Sequence, residues 1–188
     1  PDQAQSREQE KQLLSAALAK AQGQIEALQR QAPIHEQGIF AAHREILLDP
    51  QLHDETQGGV ESGLAAARAW HDAYEKQAAL LEALPNPLLA ARAGDLRDVG
   101  ERVLRCLLGE NSAQRQFPDN CIVVARDLNP SETVQLDRQR VKGLCLAQGG
   151  PTSHVAILAR SLGIPSLCAV GAACLELPEG RQVVLDAE

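Results

Sequence analysis

A chain of 188 residues, 44% hydrophobic but only 2% aromatic, can bury a core made mostly of Leu, Ala, Val and Ile, a composition suited to packed helices. Its net charge of −7 removes the electrostatic attraction that dominates nucleic-acid affinity, so a basic protein partner fits better than DNA or RNA. No apolar run approaches the roughly 20 residues of a membrane-spanning helix, and no basic leader precedes a hydrophobic segment, so the chain reads as a cytoplasmic protein that does not enter a membrane.

From Ser6 to Gly109 the apolar residues keep helical spacing. Ser6 and Gln9 form the two ends of a capping box, and Leu14, Leu18, Ala21, Ile25 and Leu28 then step by four and three like a bundle seam. Pro33 ends this helix. A second helix is predicted from His35 to Leu48, after which Asp49-Pro50 reads as an N-cap followed by a first-turn proline. A third places Ala67, Trp70, Tyr74, Ala78 and Leu81 on one face and stops near Pro85 and Pro87. The fourth uses Leu96, Val99, Val103 and Leu107 and ends at Gly109, a left-handed C-terminal position. Four helices with short connections predict a bundle over residues 6–109.

The polar stretch up to Asn120 marks a boundary, and residues 110–188 read as a small α/β unit. Cys121 to Ala125 is a predicted strand. Asn129-Pro130-Ser131-Glu132 supplies a cap, a first-turn proline and a third-position acid for a helix reaching Arg138. A strand over Gly143 to Ala147, a helix over Ser153 to Leu162, and strands over Ser166 to Val170 and Gln182 to Asp186 complete the alternation. The five cysteines include no CxxC pair and no metal-ligand spacing with histidine; they are expected to be inert small hydrophobes, and no metal site is expected. The chain starts at Pro1 and contains no methionine, so it reads as a segment of a longer protein.

Chemistry concentrates in Gln148-Gly149-Gly150-Pro151-Thr152-Ser153-His154, between a predicted strand and a predicted helix. Gly149 and Gly150 can take backbone conformations closed to other residues, Thr152 is a good N-cap, and the free N–H groups of the helix's first turn make an anion site. Beside that site stands His154, whose neutral imidazole, with an ordinary pKa of about 6.5, can attack phosphorus. A histidine there could equally be an exposed residue at a helix start.

The run from Gly149 to Pro165 resembles the active-site signature of the phosphoenolpyruvate-utilising enzymes, a family that includes Enzyme I of the sugar phosphotransferase system, phosphoenolpyruvate synthase and pyruvate phosphate dikinase. The resemblance implies that His154 is the phosphohistidine, with Gly149, Gly150, Thr152, Ser153 and Arg160 around the phosphate. Asp127-Leu128-Asn129-Pro130-Ser131-Glu132-Thr133 and Asp95-Leu96-Arg97-Asp98-Val99-Gly100 are similar to Enzyme I in particular, whose interposed helices dock the phosphocarrier protein HPr. By this likeness Thr133 orients the His154 ring, and Gly38, Ile39, His43, Ile46 and Arg92 meet HPr. Ile39, His43 and Ile46 are spaced four and three apart, so they share one side of a helix; Ile39 and Ile46 could also be core. Pro151 stands where Enzyme I commonly has Arg, and a proline there is similar to fructose-specific multiphosphoryl transfer proteins, in which Enzyme I is fused to an HPr-like domain.

The family's α/β half normally has a strand before the first helix and another after Asp186, and neither is expected here. Its barrel domain, which binds phosphoenolpyruvate and Mg2+ and through which the parent would dimerise, is absent from the sequence. No cofactor is therefore expected in this segment. Two other readings stay open: the central phosphohistidine domain of a synthase or dikinase, and a non-catalytic helical interaction module.

Overall fold

The computed structural model describes residues 6–110 and 116–186. Among the described residues there are seven α-helices and three strands, and these residues group into two compact units, 6–29 with 40–110 and 30–39 with 116–186. The segment 30–39, read from sequence as part of the helical domain, therefore groups with the α/β unit.

Five helices, rather than the expected four, precede the sheet: α1 (Arg7–Gln31), α2 (Gln37–Leu47), α3 (Pro50–Glu61), α4 (Ala66–Glu82) and α5 (Pro87–Leu107). Ser6 does accept the Gln9 N–H (3.2 Å), and its hydroxyl donates to the Gln9 side chain (3.0 Å). The second helix begins two residues later than expected, because Ile34–Glu36 forms a separate 3-10 turn after Pro33. Asp49 caps α3 by accepting from Gln51 and Leu52, as its sequence requires. The extra helix arises at Gly63, whose φ of +103° ends α3 before the Trp70-bearing face starts.

Ala65 offers α4 no side-chain cap. Buried Glu10 of α1 takes that role across the bundle, accepting the Ala66 N–H at 2.7 Å. The carboxylate thereby meets both an unsatisfied N–H and the positive end of the helix. Leu14, Ala17, Ala21, Ile25 and Leu28 form the buried seam of α1, so Ala17 takes the place assigned to Leu18. Trp70 and Phe40 are fully buried, each worth about 1.5–3 kcal/mol or more in area removed from water. Trp70 also donates its indole N–H to the Gly100 carbonyl at 2.8 Å. Gly109, at φ +70°, follows α5 as read from sequence.

In the other unit, β1 (Cys121–Ala125), β2 (Val141–Leu146) and β3 (Ser166–Leu167) form a parallel sheet in that order. α6 (Pro130–Val134) and α7 (His154–Ser161) make the two crossovers. A buried cluster of Leu136, Val141, Leu144, Ala159, Leu162 and Ile164 forms this unit's core, with Cys121 and Val123 of β1 against it. The third strand is shorter than expected because Ala169 adopts φ +58°, which breaks the extended run. Residues 182–186 are not a strand, correcting the fourth predicted one. Alternating apolar residues give extended character, but a strand also needs a neighbour to pair with, and no ladder to this segment forms among the described residues. Ala172–Glu176 is instead a short 3-10 helix.

Candidate functional site

β2 runs straight into the glycine pair, so the turn and the start of α7 lie at the carboxyl ends of the strands, where open α/β sheets place their ligands. Gly149 uses left-handed backbone at φ +85°, whereas Gly150 does not. Ser153 N–H donates to the Gly150 carbonyl at 3.0 Å and closes the turn. The N-cap is Ser153, not Thr152: its Oγ accepts from Ala156 N–H at 3.2 Å, leaving Thr152 and Pro151 exposed ahead of the helix. His154 is the first residue of α7 and is exposed, next to the positive helix terminus.

α6 packs beside α7. Asn129 caps α6 through a full capping box, accepting Glu132 N–H at 2.7 Å while Glu132 Oε2 accepts Asn129 N–H at 3.1 Å. The box fixes Thr133, which is wholly buried and donates its hydroxyl proton to the Asn129 carbonyl at 2.9 Å. That single proton is spent within α6, so Thr133 can meet an imidazole N–H only as an acceptor.

Arg160 closes the last turn of α7, six residues past His154 and thus roughly 9 Å along the helix axis. Asp127 is a residue that sequence reasoning quoted without giving it a role. Its Oδ1 lies 3.6 Å from where a Gly149 Cβ would stand, Ser153 Oγ 3.9 Å from the same point, and the carboxylate accepts Leu128 N–H at 2.9 Å. Burial and then the Asp127 charge push the neighbouring Cys168 thiol up.

The helical unit corrects one expected docking residue. His43 is 1% exposed, on the stripe that α2 buries with Phe40 and Leu47, and it cannot meet a partner protein. Its ring lies between two carboxylates of α5, with Nε2 3.5 Å from Asp95 and Nδ1 3.9 Å from Asp98. Arg102, 3.9 Å from Asp98, also donates to Gln24 at 3.1 Å; burial holds its pKa below the usual guanidinium range, against the pull of Asp98. The spacing of Asp95, Asp98 and Arg102, three and then four, was the available signal that these polar groups share the inward face of α5. Gly38 is exposed and Ile39 half-buried in the segment that groups with the α/β unit. Ile46 and Arg92 do come together, in a groove of about 360 Å³ whose apolar wall is Leu80, Leu81, Leu84 and Leu96.

Two family models match the chain, "PEP-utilising enzyme, N-terminal" over residues 1–92 and "PEP-utilising enzyme, mobile domain" over residues 117–188. A solution NMR structure of Enzyme I is similar with a TM-score of 0.68 and 33% identity, covering 89% of this chain and 70% of that one. The chain belongs to the phosphoenolpyruvate-utilising enzymes. Among its relatives in this family, a multiphosphoryl transfer protein of Xanthomonas campestris pv. campestris is 42% identical over 93% of this chain and 22% of its own length. A phosphoenolpyruvate-protein phosphotransferase of Haloferax volcanii is 40% identical over 81% of this chain and 27% of its own. The chain thus spans about a quarter of the length of these phosphoenolpyruvate-utilising relatives. Among the described residues no helix is long and apolar enough to cross a membrane, and no group of three or more His, Cys, Asp or Glu is placed to hold a metal ion.

Proposed function

We propose that this chain is the phosphohistidine and carrier-docking part of a phosphoenolpyruvate-protein phosphotransferase of the multiphosphoryl transfer type, acting in cytoplasmic sugar uptake. His154 takes a phosphoryl group from phosphoenolpyruvate and passes it to a histidine of HPr or of an HPr-like domain in the same parent. Phosphoenolpyruvate and Mg2+ are held by a separate domain, through which the parent dimerises; there the cation offsets phosphate charge.

The observation that carries this reading is His154 standing exposed at the N-terminus of α7, directly after the left-handed Gly149 turn. An imidazole nitrogen attacks phosphorus as the bond to the donor oxygen breaks, and the N–H groups of the first turn hold the phosphoryl oxygens. The other ring nitrogen keeps its proton and donates a hydrogen bond to Thr133 Oγ1, which selects the tautomer. Catalysis is then mainly positioning and charge stabilisation. With Pro151 in place of an arginine, the helix terminus carries more of that stabilisation. HPr docks at the groove of Ile46, Arg92 and the α4 leucines.

Phosphorylated HPr mixed with the chain should add one phosphoryl mass, lost in His154→Ala, whereas phosphoenolpyruvate alone should add none. A phosphoryl mass that survives His154→Ala sinks the assignment of His154. Absence of transfer from any phosphocarrier sinks the relay and favours the interaction module.

A further inference from the structure

At the end of the sheet opposite His154, β2 and β3 start and α7 stops. Two connections meet there, 135–140 between α6 and β2 and 162–165 between α7 and β3. A cavity of about 720 Å³ opens between them, a volume ordinary for a small-molecule site. Leu136, Val141 and Ile164, three members of this unit's buried core, back it, and Pro165 adds an exposed apolar surface. β2 spans six residues and rises about 3.3 Å at each step, so roughly 16 Å separates the cavity end of that strand from the end that leads into the glycine turn.

The charge around this cavity is positive. Arg138 extends from the first connection to the second, with Nη2 3.9 Å from the point a Gly163 Cβ would occupy. Gly163, left-handed at φ +69°, carries no side chain into that space. Lys142 Nζ donates to the Arg138 carbonyl at 3.3 Å, which holds the ammonium beside the same turn and leaves it two further N–H donors. Asp137, the carboxylate in the cavity wall, is engaged elsewhere: it accepts the Gln139 N–H at 2.9 Å and lies 3.6 Å from Arg140. Among the described residues no carboxylate pairs with Arg138 or Lys142. The carbonyl end of α7 reaches the cavity at Gly163 with the equivalent of roughly half a negative charge, which two full positive charges outweigh.

We propose that this cavity is a second anion site, one that takes a small phosphate monoester with a compact apolar body. A phosphate monoester carries about −1.5 to −2 at neutral pH and so matches two cations, whereas a carboxylate matches one. The Arg138 fork takes two phosphate oxygens, Lys142 meets the third as a point charge, and the organic group lies over Val141, Ile164 and Pro165. The length of α7 stands between this cavity and His154, so the ligand binds without occupying the phosphohistidine turn.

The test titrates the isotope-labelled chain with phenyl phosphate, with inorganic phosphate and with phenol, and follows the backbone amide shifts by NMR. Phenyl phosphate should give saturable shifts at Gly163 and Lys142 and bind more tightly than inorganic phosphate, while phenol should give none there. Arg138→Gln and Lys142→Gln should each weaken phenyl phosphate on the order of tenfold, the loss of one charge-assisted contact, with melting unchanged. His154→Ala should leave this binding unaltered. Absence of a saturable shift at Gly163 overturns the proposal, as do shifts confined to Gly149, Gly150 and the start of α7. Binding that survives the double substitution of Arg138 and Lys142 overturns it as well, and inorganic phosphate binding as tightly as phenyl phosphate overturns the ester.

Discussion

Gly100 shows how a single missing methyl group can be structural. A Cβ there would sit 2.5 Å from Tyr74 Cγ, and the Gly100 carbonyl already receives the Trp70 indole N–H. Gly100→Ala gains some helix propensity but forces the Tyr74 ring aside, a net loss of about 1–3 kcal/mol from overpacking. Urea unfolding should show a lower midpoint; an unchanged midpoint would mean that the ring has room to move. Tyr74 itself supplies a pH test. Burial, with smaller help from the Glu75 and Glu101 charges, raises its hydroxyl from the ordinary 10.0 to about 12. The folded state therefore holds this proton where the unfolded state releases it. The resulting stability is fully present below pH 10.0 and is lost as pH rises through about 12. Tyr74→Phe should melt with a shallower alkaline decline than the parent, and parallel curves for the two proteins would refute the argument.

At the scale of elements, α6 is too short to stand on its own hydrogen bonds, and its capping box decides whether Thr133 stays in place. Asn129→Ala removes the acceptor for Glu132 N–H and costs about 0.5–2 kcal/mol. It should also slow phosphorylation of His154 more than Ser161→Ala, a change on the far end of α7. Equal transfer rates for the two variants would separate α6 from the site. The box was legible because its residue types are fixed by local backbone chemistry. The cap of α4 was not, since Glu10 and Ala66 meet only after the bundle packs. The sequence reading likewise placed the helix N-cap at Thr152, since Thr and Ser both cap helices; which of the two bonds Ala156 depends on where the Gly149 turn leaves the chain.

For the whole molecule, the docking prediction now turns on burial. Leu80 is 59% exposed in the Ile46–Arg92 groove, so Leu80→Glu should leave melting unchanged while slowing transfer from phosphorylated HPr on the order of tenfold, about 1.4 kcal/mol of lost binding. Ile46→Glu should act in the same direction. His43→Ala should instead lower stability, because it leaves the Asp95 and Asp98 carboxylates facing a cavity. If Leu80→Glu transfers at the parental rate, HPr does not use this groove.

The sequence alone determined the helical and α/β halves, the Gly149 turn and the placement of His154 at a helix start. Periodicity, proline and glycine positions and cap residues are local properties, and the motif is a contiguous run. Only the tertiary structure decided that His43 is core and that residues 182–186 do not pair as a strand. Burial and contact depend on which faces of distant segments come together, and the helical spacing of Ile39, His43 and Ile46 could not say which side of α2 the bundle would bury.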